Sequence, residues 1–121
     1  MRDFKKYDIW KLSHELTLEI YLISNTFPKE EIYALTSQLK RASISISSNI
    51  AEGYGRNSTQ SYIHFLCISR GSLFELETQL IIANRLKFIK NETLFSELMN
   101  QITEESKMIN SFINKLESSK S

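Results

Sequence analysis

The sequence predicts an all-α domain, an antiparallel up-down-up-down four-helix bundle. The first observation is composition: the 121 residues include only three Gly and one Pro, which is unusual for a fold with many turns. The second is hydrophobic periodicity, because apolar residues recur at spacings of three and four along four separate segments. The third is the length of the connections. Roughly two to eight residues between successive segments favour neighbouring helices that run in opposite directions.

The first two predicted helices cover about residues 8–25 and 30–53. Each has one apolar stripe, formed in the first by Ile9, Leu12, Leu16, Ile20 and Ile23, and in the second by Leu35, Leu39, Ala42, Ile46 and Ile50. Residues 43–47 alternate serine with isoleucine, as an exposed strand would, but the helical period continues on both sides and favours a helix. Gly53 is predicted to cap this helix, because a left-handed residue is favoured at a helix C-terminus.

The other two predicted helices cover about residues 59–87 and 92–117. Ser58 or Thr59 is the expected N-cap of the third helix. That helix has one apolar seam and also a second face, which comprises Ile63, Cys67, Phe74 and Ile81. Two apolar faces predict that the helix is covered from two sides, by the domain's own core and by a partner subunit.

Charge and cysteine content restrict the function classes. The net charge of +1 does not indicate a protein that coats nucleic acid, although a local basic patch is compatible with it. Cys67 is the only cysteine, which excludes an internal disulfide framework and fits a reducing compartment. The N-terminal region has no apolar run of signal-peptide length. We therefore expect a cytoplasmic protein.

Motifs for catalysis or metal binding are incomplete in this sequence. Neither His14 nor His64 has the glutamate three residues earlier that carboxylate-bridged di-metal bundles use. His64 and Cys67 share a helix face, but two ligands make a poor metal site. Ser72 lacks the Gly-x-Ser-x-Gly elbow of a hydrolase nucleophile. We expect no catalytic residue, metal or cofactor, and a protein that is not an enzyme.

Polar residues within the second and third helices predict a structural or assembly network. Folding these helices back around a loop near residue 55 places Glu75 about 7 Å along the axis from the level of Arg41. We therefore expect Arg41 to pair with Glu75 or Glu77, while solvated surface charges are the alternative for any one of these residues. The whole predicted network comprises Gln38, Arg41, Asn49, Glu52, Glu75 and Glu77.

The segment Asn49-Ile50-Ala51-Glu52-Gly53, preceded by Gln38, Arg41-Ala42 and Ser45-Ile46, resembles the signature of the 23S rRNA intervening sequence proteins. A later block resembles the second motif of that family; it comprises Ile68-Ser69-Arg70-Gly71-Ser72, Glu75-Leu76-Glu77 and Gln79-Leu80. The resemblance extends from about Phe4 to Leu116. One departure is Arg70, since the family often has alanine there.

The resemblance implies an antiparallel four-helix bundle that assembles as a ring-like homopentamer. Members of that family are often encoded within insertions in bacterial 23S rRNA genes. A distantly related group consists of accessory proteins to the reverse transcriptases of diversity-generating retroelements. The family has no established catalytic residues to carry over.

Two functions follow: a homo-oligomeric assembly or interaction module, or an accessory protein that binds RNA or DNA. Phosphate binding requires clustered cations, and the candidate contacts are Lys40, Arg56, Arg85, Lys87 and Lys90. The fourth helix opposes such binding, because its five acids and two lysines give a net charge of −3. Arg56 also precedes the third helix, whose free amides favour an anion unless Ser58 or Thr59 caps them.

Overall fold

The computed structural model describes residues 3–119, which form four long helices and no strand. The α-helices are α1 (Asp8–Ser24), α2 (Leu35–Tyr54), α3 (Thr59–Arg85) and α4 (Glu92–Ser119). Two 3-10 turns, Phe4–Lys6 and Lys29–Glu31, precede α1 and α2. The all-helical prediction is confirmed, and the strand interpretation of residues 43–47 is wrong because these residues lie within α2.

The start of α2 differs from the predicted boundary. The helix begins at Leu35, five residues later than predicted, because Ala34 has a non-helical backbone with φ −121° and ψ −107°. The Lys29–Glu31 turn follows Pro28 and is separated from α2 by Ile32, Tyr33 and Ala34. Ala34 has no polar side chain to cap the helix, and the Glu31 carboxylate instead accepts a hydrogen bond from the Leu35 amide at 3.3 Å.

The end of α3 is set by Lys87, which has a positive φ of 65°. The Phe88 amide donates to the Ala83 carbonyl at 2.9 Å, and the Lys87 amide donates to the Asn84 carbonyl at 3.0 Å. These two bonds form a Schellman motif, in which a left-handed residue ends the helix. The predicted helix continued to about residue 87 because no glycine marks this position.

Each helix packs against two others around one continuous apolar core. The contacting pairs are α1 with α2, α2 with α3, α3 with α4, and α4 with α1, so α1 and α3 occupy opposite corners. Fully buried side chains from all four helices fill the centre; they include Leu16, Ile20, Leu39, Ile46, Leu66, Leu73, Leu76, Leu98 and Ile109.

Small hydroxyl residues connect α2 to its two neighbours. The Ser69 hydroxyl of α3 donates to the Ile46 carbonyl of α2 at 2.7 Å, and the hydroxyls of Ser45 and Ser72 are 2.7 Å apart. On the other side, the Thr17 hydroxyl of α1 donates to the Ser43 carbonyl at 3.0 Å. These bonds satisfy the polar groups at the helix contacts. Because serine and threonine side chains are short, the helices can still pack closely.

Gly53 does not cap α2, and this prediction is wrong. The helix continues through Gly53 to Tyr54, and none of the glycines in the described chain has a positive φ. Instead, Gly53 is buried against α3, where an added Cβ would lie 3.0 Å from the Phe65 Cβ and 3.2 Å from the Tyr62 carbonyl oxygen. The glycine is required by the close approach of two helices.

Aromatic side chains cluster at the end of the bundle where α1 begins. Ring contacts link Trp10 to Phe4, Phe4 to Tyr54, Tyr54 to Tyr62 and Tyr7, and Tyr7 and Tyr62 to Phe112. Trp10 also stacks on His14, with ring centroids 4.9 Å apart and an interplanar angle of 10°. Burial, with smaller contributions from Tyr7 and Tyr54, raises the pKa of the Tyr62 hydroxyl.

Candidate functional site

The predicted interhelical pair of Arg41 with Glu75 or Glu77 is absent from residues 3–119. Arg41 is exposed and donates from Nη2 to the Gln38 Oε1 at 2.7 Å, three residues earlier on the same helix. Glu75 is also exposed. Because an exposed guanidinium keeps its hydration, a local hydrogen bond is sufficient and nothing forces it across to α3. The prediction of this ion pair is wrong.

Asn49 and Glu52 also make local contacts within α2 or just beyond it. The Asn49 side-chain amide donates to the Ser45 carbonyl at 2.8 Å and to the Ser45 hydroxyl at 3.0 Å. Glu52 forms a salt bridge with Arg56 at 2.8 Å, and both side chains are about half exposed. Asn49 connects to α3 through the hydroxyl pair of Ser45 and Ser72. In the described chain, four members of the predicted network (Gln38, Arg41, Asn49 and Glu52) therefore pair locally, within α2 or with Arg56 just beyond it, while a role of the network in assembly stays a prediction.

The N-terminus of α3 is capped by its own sequence. The Ser58 hydroxyl accepts a hydrogen bond from the Ser61 amide at 3.1 Å, as the capping interpretation predicted. Arg56 lies over the Phe65 ring, with its Cζ 4.7 Å from the centroid, in addition to its salt bridge with Glu52. This geometry favours ordinary capping over an anion site at this helix end.

Arg70 joins α3 to α4, a role that the sequence left open. Its Nη1 donates to the Asn110 Oδ1 at 2.8 Å, and its Nη2 lies 3.7 Å from the Cys67 sulfur. The arginine is half-buried. Arg70 replaces the alanine that the family often has, and its guanidinium therefore points towards α4 of its own chain.

Sequence reasoning missed Glu105, a buried acid in the core stripe of α4. The residue is 0 % exposed, and neither carboxylate oxygen has a hydrogen-bond partner among the described residues. Burial, followed by the nearby charge of Glu104, raises the pKa of this carboxyl to about 8. The spacing of four, three and four from Leu98 through Ile102 and Glu105 to Ile109 is a signal that could have revealed it.

Two apolar surfaces remain exposed at opposite corners of the bundle. The α3 apolar face consists of Ile68, Phe74, Ile81 and Ile82 of the helix together with its C-cap residue Leu86, and these side chains are 39–55 % exposed. The α1 apolar patch consists of Leu18 and Leu22, which are 48 % and 67 % exposed. Of the predicted second face of α3, Phe74 and Ile81 are exposed, Cys67 is half-buried and Ile63 belongs to the core.

The candidate phosphate contacts lie at both ends of the bundle. Arg85, Lys87 and Lys90 belong to the end of α3 and the connection to α4, where the Lys90 ammonium donates to the Lys87 carbonyl at 2.9 Å. The contact between Phe27 and Phe88 places the α1–α2 connection at this same end. Lys40 lies near this end on α2, whereas Arg56 lies beyond the other end of that helix.

Comparison with known proteins identifies the family. The model of the 23S rRNA-intervening sequence protein family matches residues 5–111. The chain belongs to this family. Among solved structures, it is similar to a protein of unknown function from the S23 ribosomal protein family of Bacteroides thetaiotaomicron, with a TM-score of 0.79 and 24 % identity over 87 % of this chain and 97 % of that one. That likeness supports the helical fold. No curated protein matches the chain.

In this 23S rRNA-intervening sequence family member, the signature residues lie mainly at the contact between α2 and α3. Ser45, Gly53 and Ser72 form the close contacts, whereas Arg41 and Glu52 lie on the outside. Residues 3–119 contain no group of three His, Cys, Asp or Glu side chains that could hold a metal ion. None of the helices within that range is long and apolar enough to span a bilayer.

Proposed function

We propose that the protein is a non-enzymatic, homo-oligomeric interaction module of the cytoplasm. The observation that carries this proposal is the α3 apolar face, since five large apolar side chains exposed along one helix and its C-cap are characteristic of a surface that a partner covers. Gly71 lies on the same helix, and apart from its sequence neighbours and its own helix backbone, no atom of the described residues would lie within 4 Å of a Cβ added there. A second subunit can therefore approach this part of α3 closely.

The proposed assembly is a closed ring of subunits in head-to-tail contact, with five copies by family resemblance. A two-fold dimer needs only one self-complementary patch, whereas a ring needs two different ones. The α3 apolar face and the α1 apolar patch supply two, and they lie at opposite corners of the bundle. In this arrangement, the α3 apolar face of each subunit contacts the α1 apolar patch of the next.

The proposed subunit has up-down-up-down topology. Support comes from contacts that join the end of one helix to the start of the next. Tyr54, at the end of α2, contacts Tyr62 near the start of α3, and Tyr7, just before α1, contacts Phe112 near the end of α4. Arg70 and Asn110 fit the same opposed order of α3 and α4.

The experiment is light scattering on the purified protein and on two charge variants. Ile81→Glu disrupts the α3 apolar face and Leu22→Glu disrupts the α1 apolar patch, while Asn100→Glu on the exposed side of α4 is the matched control. We expect the wild type and the control to have five times the 14.1 kDa chain mass, and each disrupting variant to be monomeric. A monomeric wild type at all concentrations would contradict the proposal.

Mixing the two disrupting variants tests the head-to-tail arrangement. Each variant retains the surface that the other has lost, so a 1:1 mixture should form a heterodimer through one intact contact. If both variants remain monomeric in the mixture, the two surfaces do not contact each other and the ring arrangement is wrong.

An RNA- or DNA-binding accessory function is the second candidate. It is favoured by the cations at the α3–α4 connection, Arg85, Lys87 and Lys90, because a ring would repeat this small patch in every subunit and increase avidity. Filter binding across a salt series tests it: affinity that falls steeply with salt supports the function, and absence of binding at low salt excludes it. A gene position beside a reverse transcriptase would support the proposed relationship to retroelement accessory proteins.

A further inference from the structure

A cleft opens where the end of α1 meets the connection between α3 and α4. Its volume is about 280 Å³, and Leu22 of the α1 apolar patch forms part of its lining. Two core residues, Ile23 and Ile89, line it as well, together with Leu94 at the start of α4. This volume lies just below the range of small-molecule sites and suits a single large apolar side chain. The cleft can therefore receive a side chain that protrudes from another subunit.

The lining of this cleft includes one acid and one cation, and only the acid is free. The Lys90 ammonium donates to the Lys87 carbonyl at 2.9 Å. The half-buried Glu19 carboxylate, by contrast, makes no hydrogen bond or ion pair with the residues that the structure describes. Glu19 precedes Leu22 by three residues and so lies on the same side of α1. An unpaired negative charge therefore borders the apolar cleft.

The end of α3 has the complementary groups. Its last residue, Arg85, is exposed, and its C-cap residue, Leu86, is 55 % exposed. Arg85 follows Ile81 by four residues and Ile82 by three, so it lies on the same side of α3 as the apolar face. Within residues 3–119, the Arg85 side chain makes no hydrogen bond or ion pair. The α3 apolar face therefore ends in a protruding leucine beside a free cation.

These two sets of groups lie at the same end of the bundle. The contact between Phe27 and Phe88 joins the connections that follow α1 and α3. Ile82 lies three residues, about 4.5 Å, before the end of α3, and Leu22 lies two residues, about 3 Å, before the end of α1. Neighbouring subunits whose bundles are parallel therefore bring Ile82 opposite Leu22.

The same alignment brings Leu86 to the cleft and Arg85 towards Glu19. Leu86 directly follows the end of α3, and the cleft lining continues past the end of α1 to Thr26. Glu19 lies five residues, about 7.5 Å, before the end of α1. Because helical side chains lean towards the N-terminus of their helix, Arg85 leans from the end of α3 towards this level. An extended arginine side chain is long enough for the remaining distance.

We propose that Leu86 of one subunit fills this cleft of the next subunit, and that Arg85 pairs with Glu19 across the same contact while the two bundles run parallel. The inference rests on the proposed head-to-tail contact and adds its alignment. Apolar surfaces alone allow several alignments. A charge pair selects one of them, because other alignments leave the charges unpaired or place like charges together.

The experiment is sedimentation equilibrium at low salt on charge-reversal variants of the full chain. Arg85→Glu and Glu19→Arg each place like charges across the contact, so each should weaken subunit association by roughly tenfold or more. The double variant Arg85→Glu/Glu19→Arg exchanges the two charges and should restore association close to the wild-type value. Glu15→Arg, one turn earlier on α1, is the matched control and should restore nothing when combined with Arg85→Glu.

A second variant tests the cleft. Leu86→Ala leaves the cleft unfilled and should weaken association by roughly tenfold, because the buried apolar area is lost. Ile44→Ala is its control, since Ile44 is 42 % exposed on the outward side of α2. Circular dichroism of each variant verifies that it is folded.

The outcomes separate this contact from the ring itself. If the wild type is oligomeric but Arg85→Glu/Glu19→Arg associates no better than Arg85→Glu, the charge pair is wrong and the ring stands. Equal association of Leu86→Ala and Ile44→Ala would likewise overturn the role of the cleft. A monomeric wild type would overturn both the ring and this contact.

Discussion

Gly53 of α2 packs directly against Tyr62 of α3, so closely that a Cβ at Gly53 would lie 2.9 Å from the Tyr62 Cδ1. The same Cβ would also meet the Phe65 Cβ and the Tyr62 carbonyl, which are fixed to the α3 backbone. Relief of the clash therefore requires the helices to separate. Because the side chain of Gly53 is only a hydrogen atom, α2 and α3 can approach this closely at this end of the bundle.

We predict that Gly53→Ala lowers the free energy of unfolding by about 1–3 kcal/mol, the usual cost of overpacking a well-packed contact. Thermal or denaturant unfolding measures it. Gly55→Ala is the matched control, since its added Cβ would have its nearest neighbour at 3.6 Å. Equal stability of the two variants would show that the close approach is not maintained in solution.

The pKa of Glu105 predicts a pH-dependent stability with a definite sign. The folded chain keeps the Glu105 proton up to about pH 8, whereas the unfolded chain releases it near 4.5. Between these values the folded state binds one more proton, so its stability falls as pH rises, by about 1.4 kcal/mol per pH unit from this residue. Below and above the window, Glu105 contributes no slope.

Glu105→Gln should remove this part of the pH slope and make the protein more stable than the wild type at pH 8. Denaturant unfolding at several pH values measures the effect. Glu104→Gln is the control: it should keep the slope and only lower the upper end of the window, because Glu104 makes the smaller contribution to the pKa of Glu105. A wild-type slope that persists in Glu105→Gln would assign it to other groups.

The hydrogen bond from Arg70 to Asn110 should couple α3 to α4. In a double-mutant cycle with Arg70→Ala and Asn110→Ala, we expect a coupling energy of about 1 kcal/mol, because the donor is charged and half-buried. The exposed pair of Arg56 and Glu52 provides a comparison and should give less than about 0.5 kcal/mol. Equal coupling in the two cycles would argue against a structural role for Arg70.

Lys87 occupies a left-handed position that suits glycine. We predict that Lys87→Gly stabilises the protein by about 1 kcal/mol, because it relieves the Cβ strain at φ 65° while the Schellman bonds remain. Lys87→Ala retains a Cβ and should bring no such gain. Chemical denaturation of the three proteins would refute the prediction if Lys87→Gly and Lys87→Ala were equally stable.

The sequence predicted the helices well because their apolar stripes are long and regular. Leu39, Ile46 and Ile50, for example, have the helical period and are all fully buried. Helix boundaries were less predictable where a residue adopts a backbone conformation that is unusual for its type. Ala34 interrupts the start of α2 without a Pro or Gly, and Lys87 ends α3 in a conformation that glycine normally adopts.

Functional residues were harder to predict because sequence spacing does not determine the direction of a long side chain. Arg41 has the reach to contact Glu75, yet it bonds with Gln38 because solvent removes the need for a distant partner. Glu105 lies in an apolar stripe, but a charged residue type suggests exposure. The buried Thr36 hydroxyl has no hydrogen-bond partner among the described residues, and a sequence does not reveal which hydroxyls remain unpaired.

The stacking of Trp10 on His14 gives the molecule a built-in optical reporter. Trp10 is the only tryptophan in the sequence, and it belongs to the aromatic end of the bundle, away from the α1–α2 connection. Its fluorescence emission will therefore record loosening of one end of the bundle. Comparison with helical circular dichroism would show whether the two ends of the molecule melt together.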